Sequence, residues 1–335
     1  MAKGIVWVGT PFILNFENPM EFFQPLVDEG LEVRLDECRG QMPEEDVIKC
    51  LPDVTAVIAG AEPYTARVIE NAPHVQIIAR AGVGYNNVEI PAATARGIVV
   101  TNAAGQNSAS VAEHLFGHMI GICRRIGWLD RGIRRGLWRE IQPALRPLNG
   151  MTLGILGFGN IGKAVAKRAA AFEMEVIAND IVEDKETAAR LGVRFVSLEE
   201  LARRSDYLTC HVPLTPETTR IIDRGFLESM KPDAYLFNIS RGPVLDLDAL
   251  AEALRDGTIC GAGVDVYPEE PPDFSHPIFS LENVVLTPHL GGRGEDAIRN
   301  TLGHSTKCIL DFFQGRRPET VINPEVYEVL DGQQE

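Results

Sequence analysis

No apolar run in this chain approaches the roughly 18 residues that a membrane-spanning helix needs. The segment after Met1-Ala2-Lys3 lacks the layout of a signal peptide. Cysteine is scarce: six residues, Cys38, Cys50, Cys123, Cys210, Cys260 and Cys308, with no CxxC pair and no clustering with histidine. That spacing excludes a zinc ribbon or a disulfide framework, and the cysteines read as small buried hydrophobes in a reducing compartment, the cytoplasm. Positive charge is in deficit as well, with 32 basic against 47 acidic residues and a formal charge of −15. A phosphate-binding surface needs clustered cations, so nucleic acid is not expected as a general partner. No internal repeat is present.

What remains has the composition of an ordinary globular protein, 45% hydrophobic and 24% charged over 335 residues, long enough for two domains. Its most informative feature lies mid-chain. The strand-like run Met151-Thr152-Leu153-Gly154-Ile155-Leu156 leads into Gly157-Phe158-Gly159-Asn160-Ile161-Gly162, and Asp180 follows 18 residues after the last glycine. This is the dinucleotide fingerprint in its proper setting. Gly157 allows a tight turn, Gly159 lets the backbone approach a pyrophosphate, and Gly162 lets helix pack on strand. A helix opening at Asn160-Ile161 would aim free N–H groups at the phosphates. Asp180 would hold the ribose hydroxyls and repel a 2′-phosphate, favouring NAD over NADP. The plainer alternative is an aspartate that closes a turn.

Before the fingerprint, short β-rich runs alternate with helical ones. Strands are expected at Ile5–Val8, Leu31–Leu35, Ala56–Ala59, Val75–Ala79 and Ile98–Thr101. Helices are expected at Asn18–Glu29, Glu44–Cys50, Ala66–Ala72 and Ile90–Arg96. After it, strands are expected at Glu175–Ala178, Phe195–Val196, Tyr207–His211, Tyr235–Ile239, Gly261–Val264 and Val284–Leu286. Such alternation implies parallel sheets covered on both faces. Ser108–Arg125 reads as a long helix, apolar enough to suggest burial on two sides and a subunit contact. A hinge with Pro143 and Pro147 follows, and the helix Glu295–Phe313 would return to the first domain. The expected fold is therefore α/β, with two Rossmann-like doubly wound domains. An NAD-binding domain, 104–289, is inserted into a discontinuous flavodoxin-like substrate domain, 1–103 and 290–335. The segment after Pro324 reads as polar and frayed, with no room for an appended regulatory domain.

Three islands fall where strands should end: Asn238-Ile239-Ser240-Arg241-Gly242, Asp265-Val266-Tyr267-Pro268-Glu269-Glu270-Pro271 and Thr287-Pro288-His289-Leu290-Gly291-Gly292. Ligands of open α/β sheets bind at that edge. An arginine fork can hold a carboxylate and a neighbouring carbonyl oxygen. A histidine exchanges protons near neutral pH, and a carboxylate beside it fixes its tautomer.

Together with Arg80-Ala81-Gly82-Val83-Gly84-Tyr85-Asn86-Asn87-Val88, these motifs resemble the D-2-hydroxyacid dehydrogenase family, which includes 3-phosphoglycerate dehydrogenase, glyoxylate/hydroxypyruvate reductase and D-lactate dehydrogenase. The resemblance spans nearly the whole chain in the family's order. It implies that Arg241 anchors the substrate carboxylate, that His289 is the general acid and base, and that Glu270 supports His289. It also implies that Val83 and Gly84 offer N–H groups to the substrate, with Asn107 nearby. Asp265 would contact the nicotinamide carboxamide, Val212, Pro213 and Ile239 would line the nicotinamide pocket, and Ser240 and Gly291 would also bind the cofactor. No metal is required, and a homodimer acting on a small 2-oxo or 2-hydroxy acid is implied.

Plainer readings stand beside these. Arg241 also reads as half of a structural salt bridge, Asp265 as a turn residue, and Glu269 as the partner of His289 in place of Glu270. His211 would border the cofactor, and His114 with His118 has the spacing of a metal pair without a third ligand. His74, His276 and His304 read as surface or core. Between Arg124 and Arg146 seven arginines stand against Asp130 and Glu140, either a solvated helix face or a cationic rim. Arg293, and the stretch Trp138-Arg139 with Pro143-Ala144-Leu145-Arg146-Pro147, depart from the family pattern. Arg293 or Arg139 would then meet a second anionic group on the substrate. An NAD-sensing, co-repressor-like binding protein is the competing class. Formate oxidation is disfavoured by Glu270, where glutamine would be usual, and a methyltransferase would not need the Arg–Glu–His set.

Overall fold

A computed structural model describes residues 3–36 and 42–332, so Cys38 lies outside the described residues. From the N-terminus, β1 (Ile5–Val8), α1 (Gln24–Asp28), β2 (Glu32–Leu35), α2 (Glu44–Cys50) and β3 (Ala56–Ala59) alternate. They are followed by α3 (Ala66–Glu70), β4 (Ile77–Arg80), α4 (Ile90–Ala95) and β5 (Val99–Thr101). Next come α5 (Ser108–Cys123), α6 (Ile126–Arg134), β6 (Thr152–Leu156), α7 (Asn160–Ala169) and β7 (Glu175–Asn179). Then follow α8 (Lys185–Leu191), β8 (Val193–Phe195), α9 (Leu198–Arg204), β9 (Tyr207–Cys210), α10 (Arg224–Ser229) and β10 (Tyr235–Asn238). The remaining elements are α11 (Leu247–Asp256), β11 (Gly261–Val264), β12 (Val284–Leu286), α12 (Glu295–Phe313) and α13 (Val326–Gly332).

The chain divides into two compact units, Met1–Asn107 with Gly294–Glu335, and Ser108–Arg293. Both junctions fall four residues beyond the boundaries expected from the sequence. Among the described residues the first unit holds one parallel sheet in the order β2-β1-β3-β4-β5, the flavodoxin-like order. Successive residues of a strand point to opposite faces, and here both faces are covered. Val6, Val8, Ile58 and Ala79 belong to a core shared with α12, whereas Trp7, Val57, Ile78 and Val100 pack toward Val47 and Val68 on α2 and α3. Burial on both sides is why these strands read as near-continuous apolar runs.

The second unit holds a parallel sheet in the order β12-β11-β10-β9-β6-β7-β8. Counted from β6, this is the 3-2-1-4-5-6 Rossmann order with one further strand. The order reverses between β6 and β9, which are paired from Leu153 opposite Tyr207 to Leu156 opposite Cys210. Helix α5 lies against α7 and strands β10 to β12. Val111, Leu115, Phe116, Met119 and Ile122 on it are all buried inside this unit. Packing within one chain therefore accounts for the apolar content that had suggested a subunit contact.

Three local expectations need correction. The helix expected over Asn18–Glu29 is a 3-10 turn, Pro19–Phe22, followed by the short α1. Pro19 and Pro25 lack the N–H that a continuous helix requires, so each starts a turn instead. The long helix stops at Cys123, and Arg125 takes a left-handed φ of 49° before α6 begins. The segment after Pro324 is not frayed through Gly332: it forms α13, whose Val326 is fully buried.

Candidate active site

The strand reversal places the ends of β6 and β9 side by side, and glycine makes the approach possible. Gly157 has φ +96°, and a Cβ there would stand 2.8 Å from the His211 carbonyl carbon and 2.9 Å from Val212 N. At Gly162 an added Cβ would meet Gly157 O at 2.3 Å, so α7 sits directly on the turn. At Gly159 it would meet nothing within 4 Å. The middle glycine thus faces open space, as a pyrophosphate cradle must. Gly159 is also the N-cap of α7 and brings no side-chain bond to the first turn. The N–H groups of Asn160, Ile161 and Gly162 open this ten-residue helix, where an anion is stabilised.

Asp180 directly follows β7, beside this turn. Its Oδ2 accepts from Phe158 N at 2.6 Å and its Oδ1 from Val182 N at 3.0 Å, so the carboxylate also braces the turn as the plainer reading held. Ile181 is 101% exposed and Val182 72%, an apolar shelf next to the acid. The end of β9 supplies Val212, half-buried, and Pro213, exposed. His211 contacts Thr209 Oγ1 through Nε2 at 3.0 Å, its Nδ1 is buried without a partner, and burial pulls its pKa down to about 3. These residues fit an NAD molecule, which demands a close backbone turn, an uncapped helix start and an acid at the ribose.

The three islands occupy the same edge of the sheet, at the ends of β10, β11 and β12. Ile239 and Ser240 are buried. Asn238 Nδ2 donates to Arg241 O at 2.9 Å, and Arg241 Nη1 donates to Ser240 O at 2.6 Å. Burial lowers the Arg241 pKa, with Glu270 acting in the opposite sense. At Gly242 an added Cβ would stand 2.0 Å from the carbonyl carbon and oxygen of Tyr267 and 2.4 Å from Pro268 N. The arginine loop therefore lies directly on the loop that carries Glu270. Glu270 Oε1 accepts from Tyr267 N at 3.1 Å, and Oε2 lies 2.7 Å from His289 Nδ1. Glu269 is exposed, and it is Glu270 that reaches the imidazole. Burial pushes the Glu270 pKa up, but the His289 bond and the Arg241 charge outweigh it and hold the group ionised.

His289 adopts φ +55°, in the left-handed region. Its N–H donates to Asp265 O at 2.7 Å. Asp265 Oδ1 accepts from Leu290 N and Oδ2 from Gly291 N, both at 2.9 Å. An ionised acceptor at two successive N–H groups stabilises a turn that histidine otherwise adopts at a cost on the order of 1 kcal/mol. Arg293 N closes the loop on Leu290 O at 2.9 Å, and the Arg293 side chain is exposed. Arg139 is exposed too, on the stretch after α6.

The expected substrate residues belong to the first unit. Val83 and Gly84 lie in the loop after β4, where Asn102 Nδ2 donates to Val83 O at 2.8 Å. Asn107 is the last residue of that unit before the junction, and its Oδ1 is buried without a partner. His276 caps a turn by accepting from Ile278 N, and His304 bonds Thr320, so both have structural partners. His114 and His118 both reach Thr287 Oγ1 through Nε2.

One outcome follows from the crowding at Gly242. Gly242→Ala must push Arg241 away from the Glu270 loop, and a displacement of about 1 Å in such a site costs roughly 10²-fold. The expected result is a fall of that size in kcat/KM with NADH affinity retained, measured by steady-state kinetics beside a cofactor titration.

A dinucleotide cradle joined to an arginine and a carboxylate–imidazole pair on one sheet edge defines a nicotinamide-dependent oxidoreductase. Residues 116–291 match the model of the D-isomer specific 2-hydroxyacid dehydrogenase NAD-binding domain. Glyoxylate reductase of Pyrococcus furiosus is 36% identical over 312 residues, 91% of this chain and 93% of that protein. D-3-phosphoglycerate dehydrogenase of Archaeoglobus fulgidus is 40% identical over 303 residues, 90% of this chain but only 57% of that protein. The structure of D-lactate dehydrogenase from Aquifex aeolicus with NAD and lactic acid superposes with a TM-score of 0.82 at 25% identity, covering 96% of this chain and 99% of that one. The chain belongs to the D-2-hydroxyacid dehydrogenase family, as an NAD-dependent oxidoreductase acting on CH–OH groups.

Sequence reasoning did not find the role of Gly242 or the bonds that tie Asp265 to the His289 turn. Gly263 inside β11 signalled only a close approach from α5, since a strand glycine marks a neighbour and His118 Nδ1 would stand 2.6 Å from a Cβ there.

Proposed function

We propose that this enzyme reduces a small 2-oxo acid, or oxidises the corresponding 2-hydroxy acid, with Arg241, Glu270 and His289 as its working side chains. The observation that carries this reading is the 2.7 Å bond between His289 Nδ1 and Glu270 Oε2, on a loop that lies against the one bearing Arg241. When bound, the nicotinamide supplies a hydride to substrate C2 or accepts one from it. The chain's own residues do the rest. Arg241 holds the carboxylate and the 2-oxo oxygen with its planar fork. Glu270, ionised, accepts only, so the Nδ1 proton of His289 is committed to it and Nε2 is the atom that gives a proton to O2 or takes one back.

For the cofactor, Gly157, Gly159, Asn160, Ile161 and Gly162 are assigned to the pyrophosphate, and Asp180 to the adenosine ribose. Val212, Pro213, Ile239, Ser240, Asp265 and Gly291 are assigned to the nicotinamide side. Val83, Gly84 and Asn107 are assigned to the substrate on the family resemblance. Arg293, exposed on the turn that carries His289, is the position from which a second anionic group would be met.

We further assign a homodimer in the cytoplasm. Ile126, Ile133, Leu137, Trp138 and Leu145 are exposed together along α6 and the stretch after it, and Trp138 is 70% exposed. A covering partner offsets that apolar surface. Free thiols at Cys123, Cys210, Cys260 and Cys308 suit a reducing compartment.

The deciding experiment is kcat/KM with NADH across glyoxylate, pyruvate, hydroxypyruvate and 3-phosphohydroxypyruvate. Turnover of the short acids is expected. NADH binding with no turnover of any of them would overturn the assignment, and a strong preference for the phosphorylated acid would bring Arg293 into the site.

A further inference from the structure

Behind the His289 turn, two imidazoles and a carboxylate meet on a single hydroxyl group. His114 and His118 lie one turn apart on α5, with ring centroids 4.7 Å apart. Both Nε2 atoms reach Thr287 Oγ1, at 3.0 and 2.9 Å. The same oxygen lies 2.5 Å from Asp265 Oδ1, which is 3.3 Å from His114 Nε2. Asp265 is 1% exposed and His118 3%.

Counting protons settles the arrangement. Burial raises the Asp265 pKa, but the bonds from His114, Thr287, Leu290 and Gly291 outweigh it, and the net shift is downward. An ionised carboxylate only accepts, so the one hydroxyl proton of Thr287 goes to Asp265. The two lone pairs left on Thr287 Oγ1 both face imidazole nitrogens, so each Nε2 must be the protonated one. His118 agrees independently. Its Nδ1 is buried with no partner and faces Gly263, where an added Cβ would stand 2.6 Å away. A proton on Nδ1 would have no acceptor there. Burial first, and His114 second, pull the His118 pKa down to about 4 against the attraction of Asp265, so the ring is neutral.

We propose that His118 and Thr287 are positioning residues for the reacting imidazole, acting through Asp265. The chain of bonds is continuous. α5 fixes the Thr287 hydroxyl, Thr287 fixes the Asp265 carboxylate, and Asp265 receives the N–H groups of Leu290 and Gly291 while its carbonyl receives that of His289. Ser110, also on α5, donates to Gly291 O at 2.8 Å, so one helix face holds the turn at two points. The turn cannot relax inward, because an added Cβ on Gly291 would already meet Ile239 Cγ2 at 2.9 Å. The carboxylate of Asp265 is thereby a clamp on the catalytic turn. The proposal rests on His289 being the proton-transfer group.

Four variants and one spectrum test it. Thr287→Val removes a hydrogen bond to a charged acceptor and should lower kcat ~10–100-fold, with Thr287→Ser recovering most of the loss. His118→Leu removes one neutral bond and should lower kcat ~3–10-fold. His118→Gln, whose amide nitrogen reaches the Nε2 position, should recover it. If the leucine variant fails to fold, His118→Asn, too short to reach Thr287, takes its place. Substrate KM should stay near the parent value throughout, a split that a loosened core would not produce. In the parent enzyme, nitrogen NMR of labelled histidine should show His118 protonated on Nε2 alone between pH 5 and 8. Parental kcat in both Thr287→Val and His118→Leu, or a proton on His118 Nδ1, would overturn the proposal. If His289→Asn is inactive while Thr287→Val and His118→Leu are both parental, only this inference fails. If His289→Asn turns over normally, the reading beneath it fails instead.

Discussion

Replacing His289 is expected to lower kcat by ~10²–10⁴-fold, the range that general acid–base help supplies, while NADH still binds. The geometry makes the ring asymmetric. Nδ1 is tied to Glu270 Oε2 at 2.7 Å, and Glu270 is held ionised by that bond and by Arg241 against the effect of burial. Only Nε2 is left to exchange a proton with the substrate oxygen. Alanine is a blunt test, because residue 289 sits at φ +55° and a simple side chain resists that conformation. Asparagine tolerates the left-handed region and cannot carry the proton. His289→Asn should therefore lose turnover with the turn intact, whereas His289→Ala combines chemical and conformational loss. Steady-state rates with a 2-oxo acid, beside an NADH fluorescence titration, check both. Undiminished turnover in the asparagine variant removes His289 from its role.

The second large effect concerns Arg241→Lys. The side chain is partly buried at the end of β10, and Nη1 already donates to Ser240 O at 2.6 Å. The remaining N–H groups of the planar fork are free to meet two oxygens at once. A lysine ammonium is a point donor on a flexible stem and reproduces one of these contacts at most. Losing a buried charged contact costs about 2–5 kcal/mol, which corresponds to roughly 30- to 5,000-fold in kcat/KM. NADH affinity should be unaffected, since the fingerprint turn lies at the ends of β6 and β7. An unchanged kcat/KM for the lysine variant would show that the carboxylate is held elsewhere.

The class of chemistry was legible in the chain because it depends on residues at fixed short spacings. Gly157, Gly159 and Gly162 each meet a different steric demand within a few residues, and Asp180 follows at one strand's distance. Apolar runs such as Ala56–Ala59 and Tyr207–Cys210 declared strands buried on both faces, hence parallel sheets. Where the reading failed, local composition was overridden. Pro25 split an expected helix, and an apparently polar tail became a helix anchored by the buried Val326.

Some things could be settled only by folding. Nothing in the order of residues says that Gly242 must lie on the Tyr267 carbonyl or that two histidines of α5 converge on Thr287. Residue types and their spacing along one strand–turn–helix unit determine what a segment can do, and that information is local. Which side chains converge depends on how β10, β11 and β12 are laid side by side and on what packs behind them, a matter of distances between residues remote in the chain.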